Sequence, residues 1–292
     1  AVRASLAYLD EAGFTDRVVT PSFREDNPWT NPSEPGKTRY KNDDYQYVTT
    51  GKVALAWQIS PDAKLTFTHA QQSQLANGSR GTTLDPNQAG DVFQYGQDVL
   101  VGRYREFADR AFKLDSLDLE WDFDSFSMKS STSHFEDTRE GQANYGIGFV
   151  YYGDWGWSAL TPEQTGESPY MQFDNTYSGI SHETRFVSMG DGPLSWVGGL
   201  YYTQQERSLA FQEFFPTLDQ VGGLDRASIG GSVDVGYAED INTDYEEVAV
   251  FGELTYALTD RWDVTLGARV FNYSDEADPR ITDYAFGLVD TK

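Results

Sequence analysis

The chain has 292 residues, and among them are no cysteine and only three histidines. Without cysteine, the protein can form neither a disulfide scaffold nor a thiolate metal site. Basic residues are also scarce, since 22 Lys and Arg stand against 46 Asp and Glu and leave a net charge of −24. Binding to nucleic acid requires a basic patch, and no local run of residues supplies one. We therefore expect no nucleic-acid partner.

Long hydrophobic runs and common catalytic motifs are missing too. No apolar run approaches the roughly 18 residues of a membrane helix, and the mean hydropathy of −0.56 would suit a soluble protein. A transmembrane β-barrel escapes this test, because only alternate residues meet lipid. The chain contains no Gly-x-Ser-x-Gly, no His-Glu-x-x-His and no phosphate-binding glycine loop. The sequence therefore predicts no catalytic residue, no metal ligand and no cofactor.

An alternating pattern recurs four times along the chain. Each copy has a strand of about ten residues, a short turn, a second strand and about thirty-five residues of polar and aromatic loop. The predicted turns are Ser60–Ala63, Asp124–Ser125, Gly190–Pro193 and Thr259–Arg261. About ten residues tilted by about 45° cross a bilayer. Short turns at one end and long loops at the other are typical of outer-membrane barrels.

Each predicted hairpin has one apolar and one polar face, because successive strand side chains point to opposite sides. We expect the apolar face to contact outer-membrane lipid through Leu119, Trp121, Leu200, Val250, Leu254, Val264 and Leu266. Four tryptophans lie within a few residues of a short turn, namely Trp57, Trp121, Trp196 and Trp262. An aromatic girdle at the membrane interface belongs in that place.

The count of strands indicates part of a larger barrel. The chain opens within a strand, Val2–Leu9, and the four hairpins bring the total to about nine, with a tenth expected to start near Ile281. Bacterial barrels have even strand numbers and no open edge, because unpaired backbone groups in lipid each cost several kcal/mol. We therefore expect residues 1–292 to be part of a single β-barrel domain, and Leu288–Lys292 not to be its closing strand.

Several segments resemble the middle barrel strands of TonB-dependent outer-membrane receptors. They are Ser181–Ser188 with Trp196–Tyr202, and Phe251–Tyr256 with Leu266–Arg269, while Val2–Arg17 is similar to an early barrel segment. The resemblance implies a barrel of about 22 strands in the outer membrane of a Gram-negative bacterium. It also implies an N-terminal plug and energy passed on by TonB. The plug and the C-terminal strands are expected to be absent from this chain, so TonB contact would depend on the missing plug.

Charged residues on the polar face are predicted to line the lumen: Asp118, Glu120, Glu183, Arg185, Glu253 and Arg269. We expect Glu183 to pair with Arg185 and Glu253 with Arg269, because pairing stabilises buried charge. Contact with plug or substrate is the alternative. The acidic row that begins at Asp118 could offer oxygen ligands to Ca²⁺. However, alternate strand residues stand about 7 Å apart and do not converge, which disfavours a metal site.

The long loops hold the predicted substrate contacts. Residues 136–179 carry seven acidic residues and one basic residue, and residues 206–244 carry eight acidic residues and two basic residues. Such loops repel an anion, which favours a neutral or cationic ligand. The first loop is rich in aromatic rings, and Tyr151, Trp155 and Trp157 are its predicted contacts with a small-molecule ligand, because rings can stack on a sugar or planar compound. Packing of these rings within the loop is the alternative.

Together these features predict an outer-membrane active transporter, and no enzyme. Its ligand would be a scarce nutrient such as an iron chelate, cobalamin or a saccharide. One alternative is a secreted all-β carbohydrate-active enzyme or binding protein, in which Leu119 and Val250 would lie in a closed core between sheets. The other is a passive porin, which shares the architecture but has less need of long loops.

Overall fold

A computed structural model describes residues 1–19, 38–78, 96–102, 105–144, 170–190, 192–214, 235–283 and 288–291. Within these ranges no helix is long and apolar enough to cross a membrane. The regular structure of the same ranges consists of thirteen strands. They are β1 (Val2–Glu11), β2 (Asp16–Val19), β3 (Thr38–Tyr40), β4 (Gln46–Ser60), β5 (Ala63–Asn77), β6 (Val99–Gly102), β7 (Phe107–Asp122), β8 (Phe126–Asn144), β9 (Tyr170–Ser188), β10 (Leu194–Phe214), β11 (Val235–Thr259), β12 (Trp262–Asp283) and β13 (Leu288–Thr291).

Ten strands form one large sheet in the order β1-β4-β5-β7-β8-β9-β10-β11-β12-β13. Every neighbouring pair in this sheet is antiparallel. In the described part of the chain, β1 and β13 are its two edges, so the sheet is open. The predicted all-β architecture is confirmed. The tenth strand starts at Leu288, and the prediction of a start near Ile281 was wrong because β12 continues through Ile281.

The four predicted turns lie at one rim of the sheet, as expected. The register places Ala63 opposite Trp121, Phe126 opposite Ser188, and Leu194 opposite Tyr256. Each short turn therefore lies beside the next, and the longer connections leave from the opposite rim. We call these the short-turn rim and the long-loop rim.

The strands are longer than the predicted ten residues. They reach 15 residues in β4 and 25 in β11. Residues 136–144 and 170–179, predicted as loop, lie in β8 and β9, and residues 206–214 and 235–244 lie in β10 and β11. Neither face of these extensions is continuously apolar, because residues such as Leu209 and Ile241 stand among polar ones. A strand without a continuous apolar face gives no clear hydropathy signal by which it could be told from a loop.

The two faces of the sheet differ as alternation predicts. Leu200 and Val250 share one face and are 54% and 56% exposed, whereas Thr203 and Ala249 share the other and are 2% exposed each. We call the first the apolar face and the second the polar face, after their residues near the short-turn rim. Trp57, Trp121 and Trp196 all lie on the apolar face.

A second, three-stranded sheet lies in a region predicted as loop. Its order is β3-β2-β6, with β2 and β6 parallel. Val18 and Val99 are its buried apolar residues. Beside them lies the Arg17 cluster, in which Arg17 pairs with Asp43 over 3.1 Å and with Glu106 over 2.8 Å, while Arg105 approaches Asp43 within 2.5 Å. The prediction of loop without strands was therefore wrong for these residues.

Candidate functional site

A groove lies on the polar face in the half of the sheet near the long-loop rim. It is formed by β8 to β12, and its polar and aromatic lining comprises Asp137, Arg139, Asn175, Thr176, Tyr177, Gln205, Arg207, Thr243, Tyr245 and Asp275. Apart from Thr176, whose side chain lies on the other face, these residues alternate along five neighbouring strands and point into the same space, because the side-chain period of a strand is two. We call it the arginine groove.

The register of the sheet explains why these side chains meet. Asp137 lies opposite Tyr177, Tyr177 opposite Arg207, and Arg207 opposite Thr243. A second row follows, in which Gln205 lies opposite Tyr245. Side chains directly opposite each other have Cβ atoms about 5 Å apart. The two rows therefore form a continuous wall of hydrogen-bonding groups.

Asp137 anchors the basic side of the groove. Arg110 donates to its two carboxylate oxygens over 2.7 and 2.8 Å, and Arg139 donates over 3.0 Å. Asp137 is only 7% exposed. The hydrogen bond from Arg110 lowers the pKa of Asp137, burial opposes this shift, and Arg139 adds to it. Asp137 therefore stays ionised and holds both guanidinium groups in place.

Arg207 differs from these two arginines, since none of the described residues offers it an ion pair or a hydrogen bond. It lies between Tyr177, whose hydroxyl donates to Gln205 over 2.6 Å, and Thr243. Tyr245 donates to Glu247 over 2.8 Å. The groove thus presents a guanidinium group, amide groups and tyrosine rings, which suit a ligand rich in oxygen acceptors.

The charged residues predicted from sequence lie closer to the short-turn rim. Asp118, Glu120, Glu183 and Arg185 line a second groove on the polar face. Arg185 donates to Glu183 over 2.5 Å. The carboxylate of Glu120 lies 3.5 Å from both Lys64 and Lys129, and Asp118 accepts hydrogen bonds from Ser116 and Ser131. These charges are held by neighbours on the same strand or on an adjacent strand, as a structural network would be.

The predicted pairing of Glu253 with Arg269 was wrong. Arg269 donates to Glu247, and its guanidinium carbon lies 5.1 Å from the centre of the Tyr201 ring. In the register Glu253 lies opposite Gly267, whereas Arg269 lies opposite Phe251. The long side chain of Arg269 therefore runs over the ring of Tyr201 towards the long-loop rim, where a cation–π contact and the carboxylate both stabilise it.

The remaining predicted residues give no further site. Tyr151, Trp155 and Trp157 lie outside the residues that the structure describes. In the ranges it does describe, no three His, Asp or Glu side chains are placed to hold a metal ion. Sequence analysis missed Tyr177 and Arg207 because they were assigned to loops, and it missed Tyr245 because this residue follows directly on the second predicted loop, 206–244. The sequence signal that could have found them is the alternation of side chains, which continues beyond the apolar part of each strand.

Comparison with known proteins relates the chain to a family. Residues 56–289 match the family model described as TonB dependent receptor-like, beta-barrel. A solved structure, the ferric yersiniabactin uptake receptor FyuA from Yersinia pestis, superposes with a TM-score of 0.59 at 12% identity. The match covers 95% of this chain and 38% of FyuA, so the chain spans less than half of that receptor. No curated protein sequence matches the chain.

Proposed function

Because the chain belongs to the TonB-dependent receptor β-barrel family, whose members are outer-membrane proteins of Gram-negative bacteria, we propose that its receptor actively imports a small molecule. The energy would come from TonB through a plug domain inside the barrel. The apolar face then contacts lipid and the polar face lines the lumen, so the short turns are periplasmic and the long loops extracellular. Import needs binding and release of the ligand, and no catalysis.

The arginine groove is the observation that carries this proposal. It lies on the lumen face near the extracellular rim, where an arriving ligand first meets the barrel wall. Arg207 has no charged partner among the described residues, and leaving a guanidinium group unpaired is favourable only where water or a ligand solvates it. We propose that Arg207, Tyr177 and Tyr245 contact the ligand.

The charge distribution favours an oxygen-rich, anionic ligand over the neutral or cationic one suggested by the loops. Arg110, Arg139 and Arg207 all lie on the polar face. The corresponding half of the apolar face is mainly acidic and carries Glu136, Asp174, Glu206, Asp244 and Glu276. In the groove itself Asp137 and Asp275 are balanced by Arg139 and Arg207, so it is far less acidic than the opposite face. Of the three ligand classes considered, an iron chelate with carboxylate or phenolate oxygens fits a free guanidinium group best.

The test is uptake by cells that carry the complete receptor with Arg207→Ala. Radiolabelled ferric chelates, cobalamin and oligosaccharides serve as probes. We expect loss of affinity for a ferric chelate at unchanged receptor abundance, because a hydrogen bond to a charged group contributes about 1.5–3 kcal/mol. Arg280→Ala is the matched control, since Arg280 lies in the same half of the sheet on the opposite face. If the two variants take up the ferric chelate equally well, the groove is not part of the binding site.

The loop rings predicted from sequence complete the proposal. Tyr151, Trp155 and Trp157 would cover the ligand from the extracellular side. Changing Trp155 and Trp157 together to Ala should lower affinity while the receptor stays at the surface. Wild-type affinity in this variant would exclude the rings as contacts and leave the groove proposal unaffected.

A further inference from the structure

The four charged residues that line the arginine groove are not equivalent. They are Asp137, Arg139, Arg207 and Asp275. Asp137 and Arg139 pair with each other over 3.0 Å, and Asp137 also binds Arg110. Within the described part of the chain, neither Arg207 nor Asp275 has an ion pair or a hydrogen bond through its side chain. Once the internal pairs are set aside, this lining presents one positive and one negative charge.

These two charges lie at different ends of the groove. Arg207 is on β10 and Asp275 is on β12, with β11 between them. In the register Arg207 lies opposite Thr243, whereas Asp275 lies opposite Tyr245, one row further from the long-loop rim. Two strand spacings and one such row put the Cα atoms of Arg207 and Asp275 about 12 Å apart. Each charge therefore needs a partner of its own.

The ring of Tyr245 lies on the strand between the two charges and stacks on Tyr273, with ring centres 6.3 Å apart. Its hydroxyl donates to Glu247 over 2.8 Å, and Glu247 also accepts a hydrogen bond from Arg269. Because the hydroxyl proton is engaged there, the phenol oxygen can only accept a further hydrogen bond. Tyr245 and Asp275 therefore make the β12 end of the groove an acceptor.

The β10 end has the opposite character. The guanidinium group of Arg207 can only donate hydrogen bonds. The side-chain oxygen of Gln205 accepts from the hydroxyl of Tyr177 over 2.6 Å, and its amide nitrogen lies 3.5 Å from Thr203. One N–H of this amide is left for another partner. Donors on β10 thus stand across the groove from acceptors on β11 and β12.

We propose that the arginine groove recognises a dipolar ligand, whose carboxylate binds Arg207 and whose protonated amine binds Asp275. The inference rests on the proposed function and narrows the class of iron chelate. A ligand with only negative charges would place one beside Asp275, and a ligand with only positive charges would place one beside Arg207, so both meet like charge. A ligand with both groups satisfies both ends, and its middle packs over the ring of Tyr245.

Binding of synthetic ferric chelates to cells that carry the complete receptor tests this recognition. The parent probe is a radiolabelled linear ferric trihydroxamate with a carboxylate at one end and a primary amine at the other. Its N-acetyl derivative lacks the ammonium charge, and its methyl ester lacks the carboxylate charge. The wild type should bind the parent about tenfold more tightly than either derivative, because each derivative loses a hydrogen bond between charged groups.

Two variants assign the ends of the groove. Asp275→Asn should bind the parent and the N-acetyl derivative equally well and keep its preference for the carboxylate over the ester. Arg207→Ala should show the reverse pattern. Glu276→Gln is the matched control, since Glu276 follows Asp275 on β12, points to the opposite face and loses the same charge. This variant should bind all three probes as the wild type does, with surface abundance measured in parallel.

The outcomes separate this inference from the proposed function. A wild type that binds the parent and the N-acetyl derivative equally would overturn the dipolar ligand and leave the proposed function standing. So would an Asp275→Asn variant that keeps the preference for the amine, or one that loses all three probes equally at normal abundance, because the latter indicates a structural role. A wild type that binds none of the three chelates, or that binds the ester as well as the parent, would overturn both proposals.

Discussion

The guanidinium group of Arg17 lies 2.8 Å from the carboxylate of Glu106, although 89 residues separate them in the chain. Arg17 is 2% exposed, and it also binds Asp43, which is 2% exposed. Asn77 donates to Asp43 over 2.9 Å. The Arg17 cluster therefore joins β2, the segment before β4, the end of β5 and the segment before β7 at the long-loop rim.

We predict that Arg17→Met releases the three-stranded sheet and leaves the large sheet intact. Removing one partner of a buried ion pair leaves the other charge buried and unpaired, which costs about 3–5 kcal/mol. Arg39→Met is the control, since Arg39 is half exposed and its pair with Asp16 contributes about 0–1 kcal/mol. Hydrogen exchange of the β2 and β6 amides measures the effect. Equal protection in both variants would contradict a stabilising role for the cluster.

The assignment of faces predicts opposite outcomes for two neighbouring substitutions. Val264 is 53% exposed on the apolar face, and Thr265 lies on the polar face within 2.9 Å of Thr255. Val264→Arg should impair membrane assembly, because Arg at mid-bilayer on the lipid side costs about 2–4 kcal/mol. Thr265→Arg should assemble. Heat-modifiable migration of the receptor on a gel reports assembly, and the reverse pattern would mean that the faces are exchanged.

Close approach of strands at Gly199 gives a third prediction. A Cβ there would lie 2.6 Å from the backbone oxygen of Thr184 and 2.5 Å from the ring of Phe251. The ring can move but the backbone oxygen cannot, so Gly199→Ala should destabilise the sheet by about 1–3 kcal/mol. Gly51→Ala meets nothing within 4 Å and should be tolerated. Urea unfolding in detergent compares the two variants, and equal stability would contradict the strand spacing described.

The buried carboxylate of Asp137 should make the stability of the protein depend on pH. Its pKa is lowered from the ordinary value of 3.8 by the hydrogen bond from Arg110. A lowered pKa means that the stabilisation is fully present above the ordinary value and is lost as pH falls through the lowered value. The stability difference between wild type and Asp137→Asn should stay constant from neutral pH to about 4 and shrink only below that. A difference that shrinks near pH 6 would contradict the ionised, arginine-bound state.

The sequence predicted those features that depend on local alternation. Val250 and Val264 fall on one face and Glu183 on the other because a strand has a period of two, and the short turns follow from their turn-forming residues. Nothing local marks the pairing of Arg17 with Glu106, since it depends on how distant segments meet. Tyr177 and Arg207 were missed for a related reason, because polar strand extensions resemble loops in composition.

Accumulation of a radiolabelled ferric chelate by cells that carry the complete receptor, with and without functional TonB, tests the central claim most directly. The account predicts concentrative uptake that requires TonB and that falls when Arg207 is changed to Ala while Arg280→Ala leaves it unchanged. Uptake that continues without TonB and only equalises the concentrations on the two sides would identify a passive pore and contradict active import.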